Sequence, residues 1–323
     1  MMMKAVILSQ YGGPECLTLT EIPIPTPACD ELLIEVHACG LNPVDYKLRS
    51  GIFHEMMPLS FPFILGGDIS GVVKEVGTEA QGGFQVGDEV YFSSPLTQGG
   101  GNAEFCVIHS SVVAKKPKSL SHVEAASLPV VGLTAIQSLR DFSGIHTGDK
   151  VLIHAGAGGV GSFAIQYAKY CGAEVFTTAS TKNEAYVRSL GADHVIDYHH
   201  EDFVTVCQQA GGMDIVLESM GGLTYPKSIE ATRVGGSVPC IVNPPDSDTK
   251  ALSERKNIKT EFLLLSGRPA DLQEIALLVD SRKIRPTVSK VISLEEIRLA
   301  HEQIESGRTQ GKWVFQISNM HTE

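Results

Sequence analysis

The stretch VLIHAGAGGVGSFAIQYAKYCGAEVFTTASTKN, residues 151–183, decides the fold. It begins with an apolar run typical of a buried strand and passes through the glycine cluster GAGGVG at residues 156–161. An amphipathic helical pattern follows and ends at Gly172, after which AEVFTTA predicts a second strand. A strand, a glycine turn, a helix and another strand together are typical of a parallel sheet with covering helices.

The glycines of this stretch match the pattern G-x-G-x-x-G. In that pattern one glycine permits the tight turn, one lets the backbone approach a pyrophosphate, and one allows close packing of helix on strand. The free N–H groups and the dipole at the helix start favour an anion. We therefore predict a dinucleotide contacted by Gly156, Gly158, Gly159, Val160 and Gly161. The alternative is a glycine turn without a ligand.

The end of the second strand indicates which dinucleotide binds. NAD sites usually place a carboxylate about 20 residues after the loop, bonded to the ribose hydroxyls. Here the first carboxylate is Glu184, inside the next helix, and the strand ends with Ser180 and Lys182. A hydroxyl and a cation bind a 2′-phosphate, so the sequence favours NADPH, with Tyr198 lining the adenosine pocket. The alternative is an ordinary helix start with a solvated lysine.

Strand and helix patterns alternate on both sides of this unit. Further strands are predicted at HVIDY, MDIVLES, GSVPCIV and EFLLLSG, which extends the parallel sheet to six strands with helices on both faces. Residues 1–122 instead contain short apolar runs separated by Gly, Pro and Asp, as in a barrel or sandwich. The tail returns to helices and closes with the strand KWVFQI. Two domains of different architecture are predicted.

Composition restricts the partners. The 323 residues carry a formal net charge of −11 at pH 7, which disfavours nucleic acid and anionic membranes as partners. No apolar run reaches the ~18 residues that a membrane-spanning helix needs, and the first residues lack a secretory signal. The seven cysteines form no C-x-x-C pair, so we expect free thiols, buried or half-buried, and no structural zinc lobe. A soluble, cytoplasmic protein is expected.

The chain resembles the medium-chain dehydrogenase/reductase superfamily, and within it the zinc-free quinone oxidoreductase and enone reductase group. The resemblance rests on motifs in family order along nearly the whole chain: VHACGLNPVDYKLRSG, LGGDISGVVKEVG, VGDEVY, LPVVGLTA, VLIHAGAGGVGSFAIQYAK, LGADHVIDY and GKWVF. It implies an α/β protein with a GroES-like, partly open β-barrel domain at residues 1–122 plus 268–323. A doubly wound Rossmann domain is then expected at residues 123–267, with the active site between the domains.

The resemblance also identifies positions that depart from the zinc enzymes of this superfamily. Asn42 stands where those enzymes have a ligand cysteine, and Gly67 and Asp68 stand where a His–Glu pair follows glycine. An amide and a glycine do not replace thiolate and imidazole as zinc ligands. No metal site is therefore predicted. The chemistry expected is hydride transfer from NADPH to an electron-poor acceptor, a quinone or an α,β-unsaturated carbonyl.

The resemblance and the local pattern together nominate residues for this chemistry. Asn42 precedes Pro43 as a helix N-cap, and the family has an asparagine near the nicotinamide at this place. Tyr46, one turn later, is a candidate donor to a substrate oxygen, or a packed tyrosine with a wet hydroxyl. Asp45 is expected to be structural, and Thr134 matches a family position near the nicotinamide and phosphates. His154 lies in an apolar run and is expected to be a hydrogen-bonded core histidine.

Two alternatives to the leading prediction remain at this stage. One is a double-bond reductase that prefers alkenals or enones and has little activity on quinones. The other is a non-catalytic NADPH-binding redox sensor. A homodimer is expected from the resemblance, through an exposed sheet edge formed by either GSVPCIV or EFLLLS.

Overall fold

The structure is a computed structural model and describes residues 1–317. Its strands are β1 Met2–Leu8, β2 Leu17–Pro23, β3 Glu31–Gly40, β4 Asp68–Val76, β5 Glu89–Ser93, β6 Phe105–His109, β7 Ala114–Lys115, β8 Lys150–Ile153, β9 Glu174–Ala179, β10 His194–Asp197, β11 Met213–Leu217, β12 Thr232–Cys240, β13 Lys259–Phe262, β14 Val288–Ile292 and β15 Lys312–Gln316. Its α-helices are α1 Pro43–Ser50, α2 His122–Ala125, α3 Pro129–Ile136, α4 Gly159–Tyr170, α5 Glu184–Ser189, α6 Phe203–Gln209, α7 Thr224–Ala231, α8 Ser247–Arg255, α9 Pro269–Asp280 and α10 Ile297–Glu305.

The chain forms two compact units. The first comprises residues 1–130 and the described residues from 267 onward, and the second comprises residues 131–266. The sequence-based division lay at 122/123 and 267/268, so α2 falls in the first unit rather than the second. The reason is a contact of its first residue, because His122 Nδ1 lies 2.8 Å from the Ser70 hydroxyl oxygen on β4.

The second unit contains a six-stranded parallel sheet with the order β10-β9-β8-β11-β12-β13. The predicted α/β fold with a Rossmann-like domain is confirmed. The prediction that GSVPCIV is a sheet edge is wrong, because β12 pairs with β11 on one side and β13 on the other. The edge strands of this sheet are β10 and β13, so only the EFLLLS alternative, which overlaps β13, remains available for pairing across a dimer axis.

Apolar side chains on the strands build the core of this sheet. Each of five adjacent strands contributes at least one buried residue to a common cluster, which includes Leu152, Phe176, Ile196, Val216 and Val238. Parallel strands covered by helices on both faces need such nearly continuous apolar runs. The carboxyl ends of the strands, where ligands bind in open α/β sheets, are thereby held on a rigid support.

The first unit is mainly antiparallel. Strand β3 is its centre, because it pairs with β4, with β6 and with β15. These strands belong to a seven-stranded sheet with the order β14-β15-β3-β4-β5-β7 and with β6 on β3, while β1 and β2 pair separately. The predicted GroES-like domain is confirmed. A buried cluster that includes Val6, Leu48, Ile297 and Phe315 packs α1 and α10 against the strands.

The seven cysteines are free thiols, as expected from their spacing. Cys29 is exposed, contrary to the expectation that each thiol is at least half-buried, because it lies in the loop before β3. No helix in residues 1–317 is both long and apolar enough to cross a membrane.

Candidate nucleotide-binding and catalytic site

The glycine loop connects β8 to α4 as the sequence predicts. Strand β8 ends at Ile153, and α4 begins at Gly159 with Gly158 as its N-cap. Between them Ala155 adopts a φ of +50°, a left-handed conformation that is strained for a residue with a side chain. The first N–H groups of α4 have no preceding turn to supply acceptors, so the loop presents free donors at the positive end of the helix dipole.

Two of the glycines are required by close contacts. A Cβ on Gly156 would overlap the Thr177 hydroxyl oxygen, and a Cβ on Gly161 would lie 2.8 Å from Gly156 Cα. At Gly158 the nearest atom to such a Cβ is Ala155 O at 3.3 Å, a tight contact but a milder one than those at Gly156 and Gly161. The bare backbone at Gly158 suits the approach of a pyrophosphate, and the loop therefore fits a dinucleotide.

The residues proposed for a 2′-phosphate gather at one edge of the sheet. Ala179 on β9 is paired with Asp197 on β10, so Ser180 and Tyr198 each follow the end of one of two neighbouring strands. The Ser180 hydroxyl oxygen accepts from the Asn183 amide at 3.3 Å, Lys182 is exposed, and Tyr198 is 55% exposed. The same geometry fits a helix start with a solvated lysine, so the phosphate role stays a prediction.

Sequence reasoning missed a carboxylate at this edge. Asp197 ends β10, accepts a hydrogen bond from the Thr181 hydroxyl, and accepts another from the His199 N–H at 3.0 Å. These hydrogen bonds, with that of Thr181 first, lower the pKa of Asp197. The negative charge is adjacent to the segment carrying Ser180 and Lys182. The place of this carboxylate follows only from the pairing of β9 with β10. In the sequence, Asp197 lies well beyond the end of β9, where a ribose-binding carboxylate is expected.

In the first unit, Asn42 belongs to a buried polar cluster. The Lys312 ammonium donates to Asn42 Oδ1 at 2.6 Å, to Asp68 Oδ2 at 2.8 Å and to the Leu41 carbonyl at 3.1 Å. The Asn42 amide donates in turn to Asp68 Oδ2 at 2.8 Å and to the Gly40 carbonyl at 3.3 Å. Asn42 occupies the N-cap position of α1, as predicted, and its side chain also bonds this cluster.

Lys312 is the residue of this cluster that sequence reasoning missed. It is only 3% exposed and lies at the start of β15. The signal was present as a lysine at the head of the otherwise apolar run KWVF, a place where a charge needs a partner. Its partners could not be named from sequence, because Asn42 and Asp68 are 270 and 244 positions away.

Asp45 is buried beside the same cluster. Its Oδ2 accepts from the Asn42 N–H at 2.8 Å, which confirms the expected structural role at the start of α1. Burial raises the pKa of Asp45 to about 7, against the opposing effects of that hydrogen bond and of Lys312. The neighbouring thiol of Cys39 also has a pKa raised by burial, so it is held as the unreactive thiol.

Tyr46 and Thr134 occupy half-buried positions. Tyr46 packs on α1 against the apolar cluster of the first unit, and its hydroxyl makes no hydrogen bond within residues 1–317. Thr134 lies on α3 in the second unit, and its hydroxyl likewise has no hydrogen-bond partner in the described chain. Both hydroxyl groups are therefore unengaged, and their roles stay predictions.

Comparison with known proteins places this geometry in a family. Residues 28–118 match the alcohol dehydrogenase GroES-like domain family, and residues 190–315 match the zinc-binding dehydrogenase family. The chain is 32% identical over 325 residues to the chloroplast envelope quinone oxidoreductase homolog of Arabidopsis thaliana, covering 98% of each chain. It is 32% identical over 355 residues to the mitochondrial NAD(P)H oxidoreductase RTN4IP1 of Danio rerio, covering 98% of this chain and 91% of the relative.

Among solved structures, the quinone oxidoreductase from Coxiella burnetii aligns with a TM-score of 0.90 at 34% identity, covering 98% of this chain and 100% of that one. The chain belongs to the medium-chain dehydrogenase/reductase superfamily. Like its quinone oxidoreductase relatives, this medium-chain reductase is an enzyme of the oxidoreductase class. It uses a nicotinamide cofactor and acts on a small molecule.

The zinc in the second family's description does not suit the donors of this medium-chain reductase. No group of three or more His, Cys, Asp or Glu side chains within residues 1–317 could hold a metal ion. Asn42, at the place of the expected ligand cysteine, and Asp68, next to Gly67, direct oxygens at the Lys312 ammonium. A cation of the protein itself therefore occupies the place between these side chains, and Gly67 offers no donor.

Proposed function

We propose that this protein transfers a hydride from NADPH to quinones or α,β-unsaturated carbonyls without a catalytic metal. The observation that carries the proposal is the Lys312 ammonium bonded to Asn42, at the place of the expected zinc-ligand cysteine, and to Asp68 beside it. Without a Lewis acid, ionisation of an alcohol is disfavoured. Acceptors that are already electron-poor need no such help, because the charge delivered with the hydride delocalises onto an oxygen.

The chain's own residues supply binding and orientation in this proposal. When bound, the nicotinamide supplies the hydride. The glycine loop and the first turn of α4 hold the pyrophosphate, which places the ring. Asn42 has both amide hydrogens engaged, so we assign it to positioning. The free hydroxyl of Tyr46 is then the better candidate to donate to the substrate oxygen, and Thr134 is assigned to the cofactor.

The choice of NADPH rests on the edge where β9 and β10 end. Ser180 offers a hydroxyl, Lys182 an exposed cation and Tyr198 an exposed ring, while the strand itself ends without a carboxylate. Asp197 opposes this choice by its charge, but its oxygens are engaged by Thr181 and by the His199 N–H. We propose that the attraction of a 2′-phosphate by Lys182 and Ser180 exceeds its repulsion by Asp197, so that NADPH binds more tightly than NADH.

The assembly and the location of the protein are also proposals. Strand β13 is a sheet edge and ends in the first two residues of the segment EFLLLS, so it is the candidate for pairing in a homodimer. A cytoplasmic location is proposed from the sequence alone. Sedimentation of the purified protein tests the first, and localisation of a tagged chain in its own cell tests the second.

Steady-state assays with four pairs of substrates test the proposed reaction. NADPH and NADH are each combined with a simple ortho-quinone and a simple enone, and oxidation is followed at the nicotinamide absorbance. We expect turnover of both acceptors with NADPH and slower turnover with NADH. Turnover of the enone alone would favour a double-bond reductase. Tight NADPH binding without any turnover would favour the redox sensor and would overturn the proposal.

A further inference from the structure

His154 is buried directly before the glycine loop and has no part in the proposed chemistry. It is 2% exposed and follows the last residue of β8. Both ring nitrogens have hydroxyl partners: Nδ1 lies 3.2 Å from Thr178 Oγ1, and Nε2 lies 3.0 Å from Ser228 Oγ. The expectation of a hydrogen-bonded core histidine is confirmed. The direction of each hydrogen bond can be derived from the groups at the ends of the chain.

Glu218, a fully buried residue just after β11, determines which group donates in each of these hydrogen bonds. Its carboxylate accepts from the Met220 N–H at 2.6 Å, the Gly221 N–H at 2.9 Å and the Ser228 hydroxyl at 2.5 Å. The Thr224 carbonyl oxygen lies 3.0 Å from the same hydroxyl, but Glu218 is nearer. Neither a carboxylate nor a carbonyl has a hydrogen to give, so the single hydrogen of Ser228 points away from His154 and towards Glu218. Ser228 Oγ must then accept from His154, which requires a hydrogen on Nε2.

Whether the other ring nitrogen, Nδ1, carries a hydrogen follows from the charge of the imidazole. Burial lowers the pKa of His154, so the ring is neutral and Nδ1 carries no hydrogen. The Thr178 hydroxyl therefore donates to Nδ1. Its oxygen is left to accept from the Ala155 N–H at 3.1 Å. Four hydrogen bonds thus run in one direction, from the backbone of Ala155 through Thr178, His154 and Ser228 to Glu218.

Ala155 is the residue of the loop that most needs support. Its φ of +50° is strained for an L-residue, and its carbonyl accepts from the Gly158 N–H at 2.9 Å. Gly161 packs against the same carbonyl. A second hydrogen bond, from the Ser219 hydroxyl to the His154 carbonyl at 3.1 Å, ties down the preceding residue. The conformation of Ala155 therefore sets where the turn and the start of α4 lie.

We propose that His154 is a positioning residue for dinucleotide binding, which holds Ala155 and the glycine loop in the phosphate-binding conformation through the one-way chain from Thr178 to Glu218. This inference rests on the proposed function, because it takes the loop to be the pyrophosphate site. The pyrophosphate is common to NADPH and NADH, so His154 sets the affinity for both without choosing between them.

Substitutions at Thr178 test the chain with little change of shape. Thr178→Val removes the hydroxyl and leaves the Ala155 N–H and His154 Nδ1 unpaired, whereas Thr178→Ser keeps it. Thr260→Val is the matched control, since its hydroxyl on the edge strand β13 also has two partners, the Val238 carbonyl and the Tyr225 hydroxyl, and neither belongs to the glycine loop. We expect Thr178→Val to raise Kd about tenfold for NADPH and for NADH alike. Thr178→Ser and Thr260→Val should stay near the parent value.

The unsubstituted parent protein allows an independent test of the chain of hydrogen bonds. Nitrogen-15 spectra of its histidine rings should show His154 as the neutral tautomer with hydrogen on Nε2, with no variant needed. A hydrogen on Nδ1, or an unchanged Kd in a folded Thr178→Val protein, would overturn the inference. If the parent protein binds neither dinucleotide, the proposed function fails instead, and the tautomer still reports on the chain.

Discussion

At the scale of single residues, Lys312 illustrates how much depends on one buried charge. Its ammonium and the fully buried Asp68 are 2.8 Å apart, and a backbone carbonyl and an amide oxygen complete its shell. A buried pair of this kind contributes little net stability compared with apolar residues of similar volume. Removal of one partner is costly nevertheless, because the other charge is left buried without compensation.

We predict that Lys312→Met lowers the free energy of unfolding by about 3–5 kcal/mol, because Asp68 loses its countercharge. Urea denaturation measures this loss. Lys115→Met is the matched control, since Lys115 pairs with Asp88 while its side chain remains 54% exposed, and such pairs contribute about 0–1 kcal/mol. The double variant Lys312→Met with Asp68→Asn should recover part of the loss. Equal effects at Lys312 and Lys115 would show that Lys312 is not buried.

At the scale of elements, cofactor choice depends on the segment between β9 and α5. Ser180 and Lys182 favour a 2′-phosphate there, and Asp197 on the neighbouring strand opposes it. The opposing charge stays close because the Thr181 hydroxyl bonds Asp197 across the two strand ends. Substitutions on the two sides should therefore shift the preference in opposite directions.

We predict that Ser180→Ala with Lys182→Ala weakens NADPH binding about tenfold or more and leaves NADH binding nearly unchanged, because hydrogen bonds to a charged phosphate are lost. Asp197→Asn should shift the preference towards NADPH. Fluorescence titration with both dinucleotides measures the two affinities. An equal loss for NADPH and NADH in the double variant would contradict a 2′-phosphate site at this edge.

Local patterns predicted the elements well. Apolar runs and glycine punctuation located β8, α4 and β9, and the spacing of Gly156, Gly158 and Gly161 predicted the tight turn between β8 and α4. Contacts between elements far apart in sequence could not be predicted. One example is β12, which lies inside the sheet because of the strand order, and the composition of a single strand does not encode that order. Another is Asp197, which lies close to Ser180 because β9 pairs with β10.

At the scale of the whole molecule, buried titratable groups link stability to pH. Burial, and next the adjacent His37, lower the pKa of His122 from its ordinary 6.5 to about 4. Between these values the unfolded chain binds a proton that the folded chain does not, so this group makes stability fall as the pH falls. Asp45 acts in the opposite sense, because its raised pKa makes the folded chain hold a proton that the unfolded chain releases.

We predict that the advantage in unfolding free energy of the parent protein over His122→Gln shrinks by about 3 kcal/mol between pH 7 and pH 4. The contribution of Asp45 is common to both proteins and cancels in the difference. Urea denaturation across this range measures it. His146→Gln, at a side chain that is 82% exposed, is the control for removal of a histidine that is not buried. A flat difference for His122→Gln would contradict its lowered pKa.

The central claim is hydride transfer from NADPH without a metal. The most direct measurement is NADPH oxidation by protein that has been treated with a strong chelator and whose metal content has been determined, with an ortho-quinone and an enone as acceptors. We predict full activity at a zinc content far below one equivalent per chain, with no increase when Zn²⁺ is added. Activity that disappears on chelation and returns with Zn²⁺ would contradict the claim.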